Sequence, residues 1–206
     1  RIPNNSNIVS SYESEASKNF ETSFVTDDYI VMTKPQTTSV LAQNLPDVPV
    51  GRIPAANLTE AGNMLDKTLA YYNALPGQST PFGEWRMKLD FVVDDDRDSG
   101  TPFHNTMDPI LKNIFEIPGN NNLKEYNVRK LYLDAFPGVS TAGGQRYPQI
   151  NQALSNDLGN SLYMFYFGHG GINGWAQERV FTLDEIQNAN NFSNVYSRFP
   201  VVSTIT

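Results

Sequence analysis

Ser161-Leu162-Tyr163-Met164-Phe165-Tyr166-Phe167-Gly168-His169-Gly170-Gly171-Ile172-Asn173-Gly174-Trp175 is the stretch that decides how this chain folds. Residues 162–167 form an almost continuous apolar and aromatic run. A strand buried on both faces of a parallel sheet needs such a run, whereas a half-exposed strand alternates polar and apolar positions. The run stops on Gly168-His169-Gly170-Gly171. Open parallel sheets bind ligands beyond the carboxyl ends of their strands, so chemistry is expected here. Three flanking glycines leave the His169 ring uncrowded and let a substrate approach the backbone. Histidine changes charge near neutral pH, which suits proton transfer, and a glycine N–H beside it can help to hold an oxyanion. The competing reading is a histidine that fills a glycine-rich turn.

The flanks extend the pattern in both directions. Downstream, Thr182 and Glu185 make a capping box for a short helix over residues 182–188. Residues 199–205 then read as a strand, the second of the near-continuous apolar runs. Upstream, residues 147–158 read as a helix and 128–133 as a strand closed by Asp134. Residues 107–115 read as a helix with Ile110, Leu111, Ile114 and Phe115 on its apolar face, and 87–93 as a largely buried strand. Strand and helix alternate, which implies right-handed crossovers and a mostly parallel central sheet flanked by helices. The fold class expected is therefore α/β. Earlier, Asn57 and Glu60 make a first capping box, and Leu58, Ala61, Leu65, Leu69 and Tyr72 line one face of a helix ended by Pro76-Gly77. Prolines keep residues 48–54 extended, 28–32 read as a short strand, and 1–26 as a polar, loop-rich opening.

Composition narrows the function classes. The 206 residues suffice for one domain with a sizeable core. A net charge of -7 argues against a nucleic-acid partner, which calls for basic surface. No apolar run approaches the roughly 20 residues of a membrane helix. There is no cysteine, which excludes disulfides, thiolate metal sites and a thiol nucleophile within these residues. The opening Arg1-Ile2-Pro3-Asn4 carries neither an initiator Met nor a signal peptide, so the chain reads as a piece of a longer protein.

Two further groups could carry chemistry. Asp94, Asp95, Asp96 and Asp98 could bind calcium, but the EF-hand pattern fails, with Ser99 at its glycine position and Asn105 at its final glutamate. The same residues also read as a solvated acidic turn, or as a group that shapes a cleft with Arg52 and Arg86 as partners. No metal or other cofactor is expected beyond that calcium alternative. His104 is the only other histidine, and it reads either as a direct participant or as part of a turn.

Residues 161–175 resemble the gingipain family of cysteine peptidases. There an apolar strand runs into Gly-His-Gly, a Trp follows, and a short helix and another apolar strand lead to the catalytic Cys. Residues 182–188 match that helix and 199–206 that strand, which puts the cysteine directly after Thr206. Val50-Gly51-Arg52-Ile53-Pro54-Ala55 resembles the family's Val-Gly-Arg-Leu/Phe-Pro/Ser-Ala segment. Thr26-Asp27-Asp28-Tyr29, and Trp85-Arg86 before a strand ending in Asp94-Asp95, resemble the sortase branch that serves type IX secretion. The resemblance covers roughly residues 20–206, and the order and spacing of the motifs carry it.

The resemblance implies a caspase/gingipain-like three-layer sandwich. Residues 1–206 would be one partial catalytic domain, lacking the family's first strand and the part after the cysteine. It implies acyl transfer, with a thiolate attacking the scissile carbonyl and the amides of the Cys and Gly170 holding the oxyanion. His169 would protonate the leaving amine and then activate the second nucleophile. Gly168, Gly171 and Trp175 would contact substrate, although Trp175 also reads as a packing residue. The family carries an acidic residue after the histidine at the position of His104, and here Asn105 departs from that. The partners implied are carboxy-terminal sorting domains of secreted cargo and other outer-membrane components of type IX secretion, and the location is the outer membrane or cell surface of a Bacteroidetes-type bacterium. No residue present replaces the thiol: Ser203 and Thr204 lie inside a strand, and Thr206 lacks the amino-terminal amine that a threonine nucleophile uses as base. The chain alone is expected to be inactive. The alternatives are a secreted gingipain-like protease and a gingipain-like binding module without the cysteine. An unrelated doubly wound ligand-binding domain predicts a phosphate loop, and no Gly-x-Gly-x-x-Gly or Walker pattern follows a strand.

Overall fold

The computed structural model describes residues 11–13, 25–34, 45–73, 82–95, 102–116, 124–187 and 198–206. The chain divides into two compact units, residues 1–64 and 65–206. The turns expected at 76–77 and 119–122, and the acidic residues Asp96 and Asp98, lie outside the described residues.

In the first unit, β1 (Tyr12–Glu13) pairs antiparallel with β2 (Val25–Thr26), inside the stretch expected to be loop. Residues 28–32 are not the expected strand, because Asp28–Val31 winds into a 3-10 turn. Local bonds outcompete a ladder here: Asp28 N–H donates to Thr26 Oγ1 at 3.1 Å, and Ile30 N–H to the Asp27 carbonyl at 3.0 Å. Arg52 forks onto Asp27 at 2.8 and 2.5 Å, so the Thr-Asp-Asp-Tyr and Val-Gly-Arg motifs meet in one ion pair. The arginine holds the Asp27 carboxyl below its ordinary value. The capping box forms as expected. Glu60 N–H donates to Asn57 Oδ1 at 2.9 Å and Ala56 N–H to Glu60 Oε2 at 2.8 Å, opening α1 (Leu58–Tyr72). The apolar face expected of α1 is not buried: Leu58, Leu65, Leu69 and Tyr72 are exposed, and Ala70 is the buried residue. Residues 65–72 of α1 belong to the second unit, and there Tyr71 meets Trp85 edge-on at 6.0 Å and Arg86 lies over both rings. Sequence period gives a helix its apolar residues, but the neighbour it meets selects the covered face.

The second unit holds the sheet. In chain order come β3 (Lys88–Val93), α2 (Phe103–Phe115), β4 (Asn127–Tyr132), a hairpin of β5 (Val139–Thr141) and β6 (Gly144–Arg146), α3 (Pro148–Asp157) and β7 (Tyr163–Phe167). A small antiparallel sheet of β8 (Gly170–Gly171), β9 (Gly174–Trp175) and β10 (Phe181–Thr182) follows, then α4 (Leu183–Gln187) and β11 (Val201–Ile205). Thr182 and Glu185 cap α4 as expected, with Thr182 N–H on Glu185 Oε2 at 2.7 Å. The central sheet runs β11-β7-β3-β4 and every pair in it is parallel, as the alternation of strand and helix requires.

Alternate residues face opposite layers. Val92, Leu131, Met164 and Tyr166 pack with Ile150 and Leu154 of α3. Phe91, Val93, Phe165 and Phe167 pack with Met107 and Leu111 of α2. The result is a three-layer α/β sandwich. β11 is not buried on both faces as its apolar run suggested, because among the described strands it lies at the edge of the sheet and Val201, Val202 and Ile205 are about half exposed. Neither β5–β6 nor β8–β10 was anticipated, since their strands are too short for a period to show. Among the described residues no helix is long and apolar enough to cross a membrane.

Candidate functional site

Register brings the site together. Val93 lies opposite Phe167, and Phe167 opposite Ile205, so β3, β7 and β11 end level. Backbone bonds carry the alignment one residue further: Asp94 N–H donates to the Phe167 carbonyl at 3.0 Å and Gly168 N–H to the Ile205 carbonyl at 3.1 Å. Asp94, Gly168-His169 and Thr206 thus leave the sheet side by side.

Asp94 holds His169 twice. Its Oδ2 accepts the His169 backbone N–H at 2.8 Å and lies 3.0 Å from His169 Nδ1. The Asp94 side chain is 2% exposed and that of His169 41%, so a buried carboxylate orients a ring that reaches solvent. A carboxylate on Nδ1 fixes that nitrogen as the donor and leaves Nε2 as the basic one. Phe103 meets the ring edge-on at 5.1 Å, from the α2 side. The glycine at 168 is required: its φ is +157°, and a Cβ there would run into the Asp94 side chain and approach Tyr166 Oη at 2.7 Å. At Gly170 a Cβ would lie 2.9 Å from Thr206 Cγ2, which measures how closely the end of β11 approaches the histidine loop.

Tyr166 closes the loop from below. Its hydroxyl donates to the His169 carbonyl at 2.6 Å. Burial first, and then the charge of Asp94, pushes the phenol well above its ordinary value, so the hydroxyl stays protonated and donates. Its ring stacks on Trp175 at 4.6 Å, nearly parallel at 5°. Trp175 is 9% exposed and also packs on Phe181. It belongs to the core, and it also reaches a cleft of about 780 Å³ bordered by Gly170, Gly171, Phe181, Val202 and Thr206.

The acidic turn is not solvated where it is described. Asp94 and Asp95 are 2% and 3% exposed, and Tyr147 donates to Asp95 Oδ2 at 2.6 Å. Glu178 joins them, and one ligand atom from each of the three carboxylates lies within 4.8 Å of the others, a set that could hold a cation. Glu178 was not singled out in the sequence. Its only local signal is conformational: Ala176 and Arg179, on either side of it, both adopt positive φ, at 58° and 54°, which is uncommon outside glycine. Arg52 and Arg86 have other partners, Asp27 for the first and the Tyr71 carbonyl, at 2.5 Å, for the second. His104 lies in the first turn of α2. The carboxylate that meets His169 is therefore Asp94, which the sequence offered only as one member of an acidic cluster. Its signal was positional: an Asp directly after a buried strand, level with the histidine.

An Asp-oriented histidine at the carboxyl ends of parallel strands, beside a cleft, is suited to moving protons between a substrate and a nucleophile held next to it. No curated protein and no solved structure matches the chain. The model of peptidase family C25 matches residues 2–206, nearly the whole sequence. This chain belongs to peptidase family C25, the gingipain family of cysteine peptidases.

Proposed function

We propose that the chain is the histidine-bearing part of a cysteine endopeptidase and transpeptidase, a sortase that removes carboxy-terminal sorting domains from type IX secretion cargo at the cell surface. The observation that carries the peptidase reading is Asp94 on His169 Nδ1, level with the end of β11. The family reading calls for a cysteine nucleophile at the end of β11, and none of the 206 residues is a cysteine. The sortase reading rests on the Thr26-Asp27-Asp28-Tyr29 and Trp85-Arg86 motifs and extends to partners and location: cargo proteins, other outer-membrane components, and the outer membrane itself.

The chemistry proceeds in two transfers. The thiolate adds to the scissile carbonyl, forming a C–S bond, and the oxyanion is held by the amides of Gly170 and the cysteine. Collapse breaks the C–N bond while His169 Nε2 gives its proton to the leaving amine. A second nucleophile, an acceptor amine or water, then loses a proton to Nε2 and attacks the thioester, and the C–S bond breaks to restore the thiolate. Asp94 keeps Nδ1 protonated through both transfers. Gly168, Gly171 and Trp175 border the path of the substrate, and no step draws on a metal.

Two measurements test this reading. The codon after Thr206 in the gene should encode cysteine, and any other residue there sinks the enzyme and leaves a binding module. In the natural protein, His169→Ala should abolish cleavage and transfer with folding intact, and retained turnover would refute the assignment.

A further inference from the structure

Tyr166 on β7 is completely buried beneath the histidine loop, and the mechanism leaves its hydroxyl unused. That hydroxyl donates to the His169 carbonyl oxygen and also lies against the Asp94 side chain. The carbonyl oxygen accepts two bonds, from Tyr166 Oη at 2.6 Å and from the Ala176 N–H at 2.8 Å. The peptide between His169 and Gly170 is planar and trans, so its N–H points opposite to its carbonyl. Two donors that hold the carbonyl inward therefore turn the Gly170 N–H outward. The pairing of β8 with β9 agrees. His169 is bonded to Ala176, and in an antiparallel ladder bonded and non-bonded pairs alternate, so the Gly170↔Trp175 pair directs its backbone groups away from the partner strand. Thr206 lies close to Gly170, on the side where a Cβ would project.

We infer that Tyr166 is a positioning residue that locks the His169–Gly170 peptide plane and so presents the Gly170 N–H to the oxyanion. This rests on the peptidase reading above. The hydroxyl touches neither the imidazole nor the substrate; of its two neighbours, Asp94 leads to the ring and the His169 carbonyl to the peptide plane, and its effect runs through the second. An oxyanion hole stabilises the tetrahedral intermediate of acyl transfer, but it has no part in direct displacement by a thiolate on an alkyl halide. The two reactions therefore separate a lost oxyanion donor from a damaged His169–thiol pair.

The test uses the natural protein containing this chain, a peptide substrate, and iodoacetamide. Tyr166→Phe keeps the stacked ring, and Ala176 still donates to the carbonyl, so folding should survive; circular dichroism and Tm check this. The expected result is a fall in kcat of about ten- to a hundred-fold, KM within about twofold, and an unchanged rate of alkylation by iodoacetamide. Placing 4-aminophenylalanine at position 166 restores a donor and should recover most of the turnover. A parallel fall in kcat and alkylation, no fall at all, or no recovery with the amino side chain would overturn the inference and leave the peptidase reading standing. His169→Ala is the companion control, and it should lower both rates. Full turnover in that variant would remove the peptidase reading and Tyr166's role with it.

Discussion

The two faces of the central sheet are built from the same strands and are stabilised differently. On the α3 face, Tyr147, Ile150, Leu154, Met164 and Tyr166 are completely buried. That face also takes in polar groups, each with partners: Asp90 accepts from Ser161 Oγ and from Arg129 Nε, and Arg129 also reaches Asp157 at the end of α3. The α2 face is almost purely apolar and looser. Phe91, Val93, Met107 and Leu111 are buried, but Ile110, Ile114, Val201 and Ile205 stay 40–54% exposed around a groove of about 650 Å³. Its polar contacts sit at the rim, where Lys130 and Tyr132 both donate to Asp108. The residues that hold His169 continue the register of the α3 face, through Asp90, Val92 and Asp94 on one strand and Met164, Tyr166 and Gly168 on its neighbour, while the ring itself meets Phe103 on the α2 side. A side chain that must hold one geometry is served by a face where every neighbour is fixed, because close-packed surroundings deny it other rotamers.

The largest expected effect breaks the α3 face at its chemical end. Asp94→Asn keeps the size of the side chain but no longer fixes the His169 tautomer, so kcat in the natural protein should fall about ten-thousand-fold while the protein stays folded. Steady-state kinetics beside a melting curve decides it, and a loss below tenfold would show that Asp94 does not orient the ring.

Next comes the polar anchor of that face. Asp90→Ala removes the acceptor of Ser161 and one partner of Arg129, and urea denaturation should show a loss of about 2–4 kcal/mol. Packing gives a direct contrast between the faces. Leu154→Ala opens a fully buried site and should cost about 3 kcal/mol, whereas Ile114→Ala, at a position 40% exposed, should cost about 1 kcal/mol or less. Equal losses at the two positions would dissolve the distinction between the faces.

The smallest effect lies at the rim of the α2 face. Lys130, then Tyr132, holds the Asp108 carboxyl below its ordinary value. A carboxyl with a lowered folded pKa contributes stability that is present above its unfolded pKa and lost as pH falls through the folded value. Asp108 is half exposed, so solvent screens the pair, and Asp108→Asn should change stability by no more than about 0.5 kcal/mol at neutral pH. The difference from wild type should vanish as acid titrates the carboxyl, from about pH 4 downward.

The sequence carried much of this arrangement where period and composition act locally. The run over 162–167 showed β7, because a strand buried on both faces has no polar position to interrupt it. Asn57 with Glu60 and Thr182 with Glu185 marked two helix starts, because a capping box closes its bonds within four residues. Asp28–Val31 was less legible, since a short apolar run does not tell a strand from a 3-10 turn when a neighbouring hydroxyl can capture the backbone.

By itself the sequence determined the strand-helix alternation, the glycine-flanked His169 at the carboxyl end of β7, and the lack of any thiol among its 206 residues. Only the tertiary structure decided that Asp94, 75 positions away, is the carboxylate on Nδ1 and that Tyr166 and Ala176 share the His169 carbonyl. It also decided that β11 lies at the edge of the described sheet and that Glu178 joins two buried aspartates. The reason is register: pairing between parallel strands distant in sequence sets which residues end level, and no local pattern encodes that alignment.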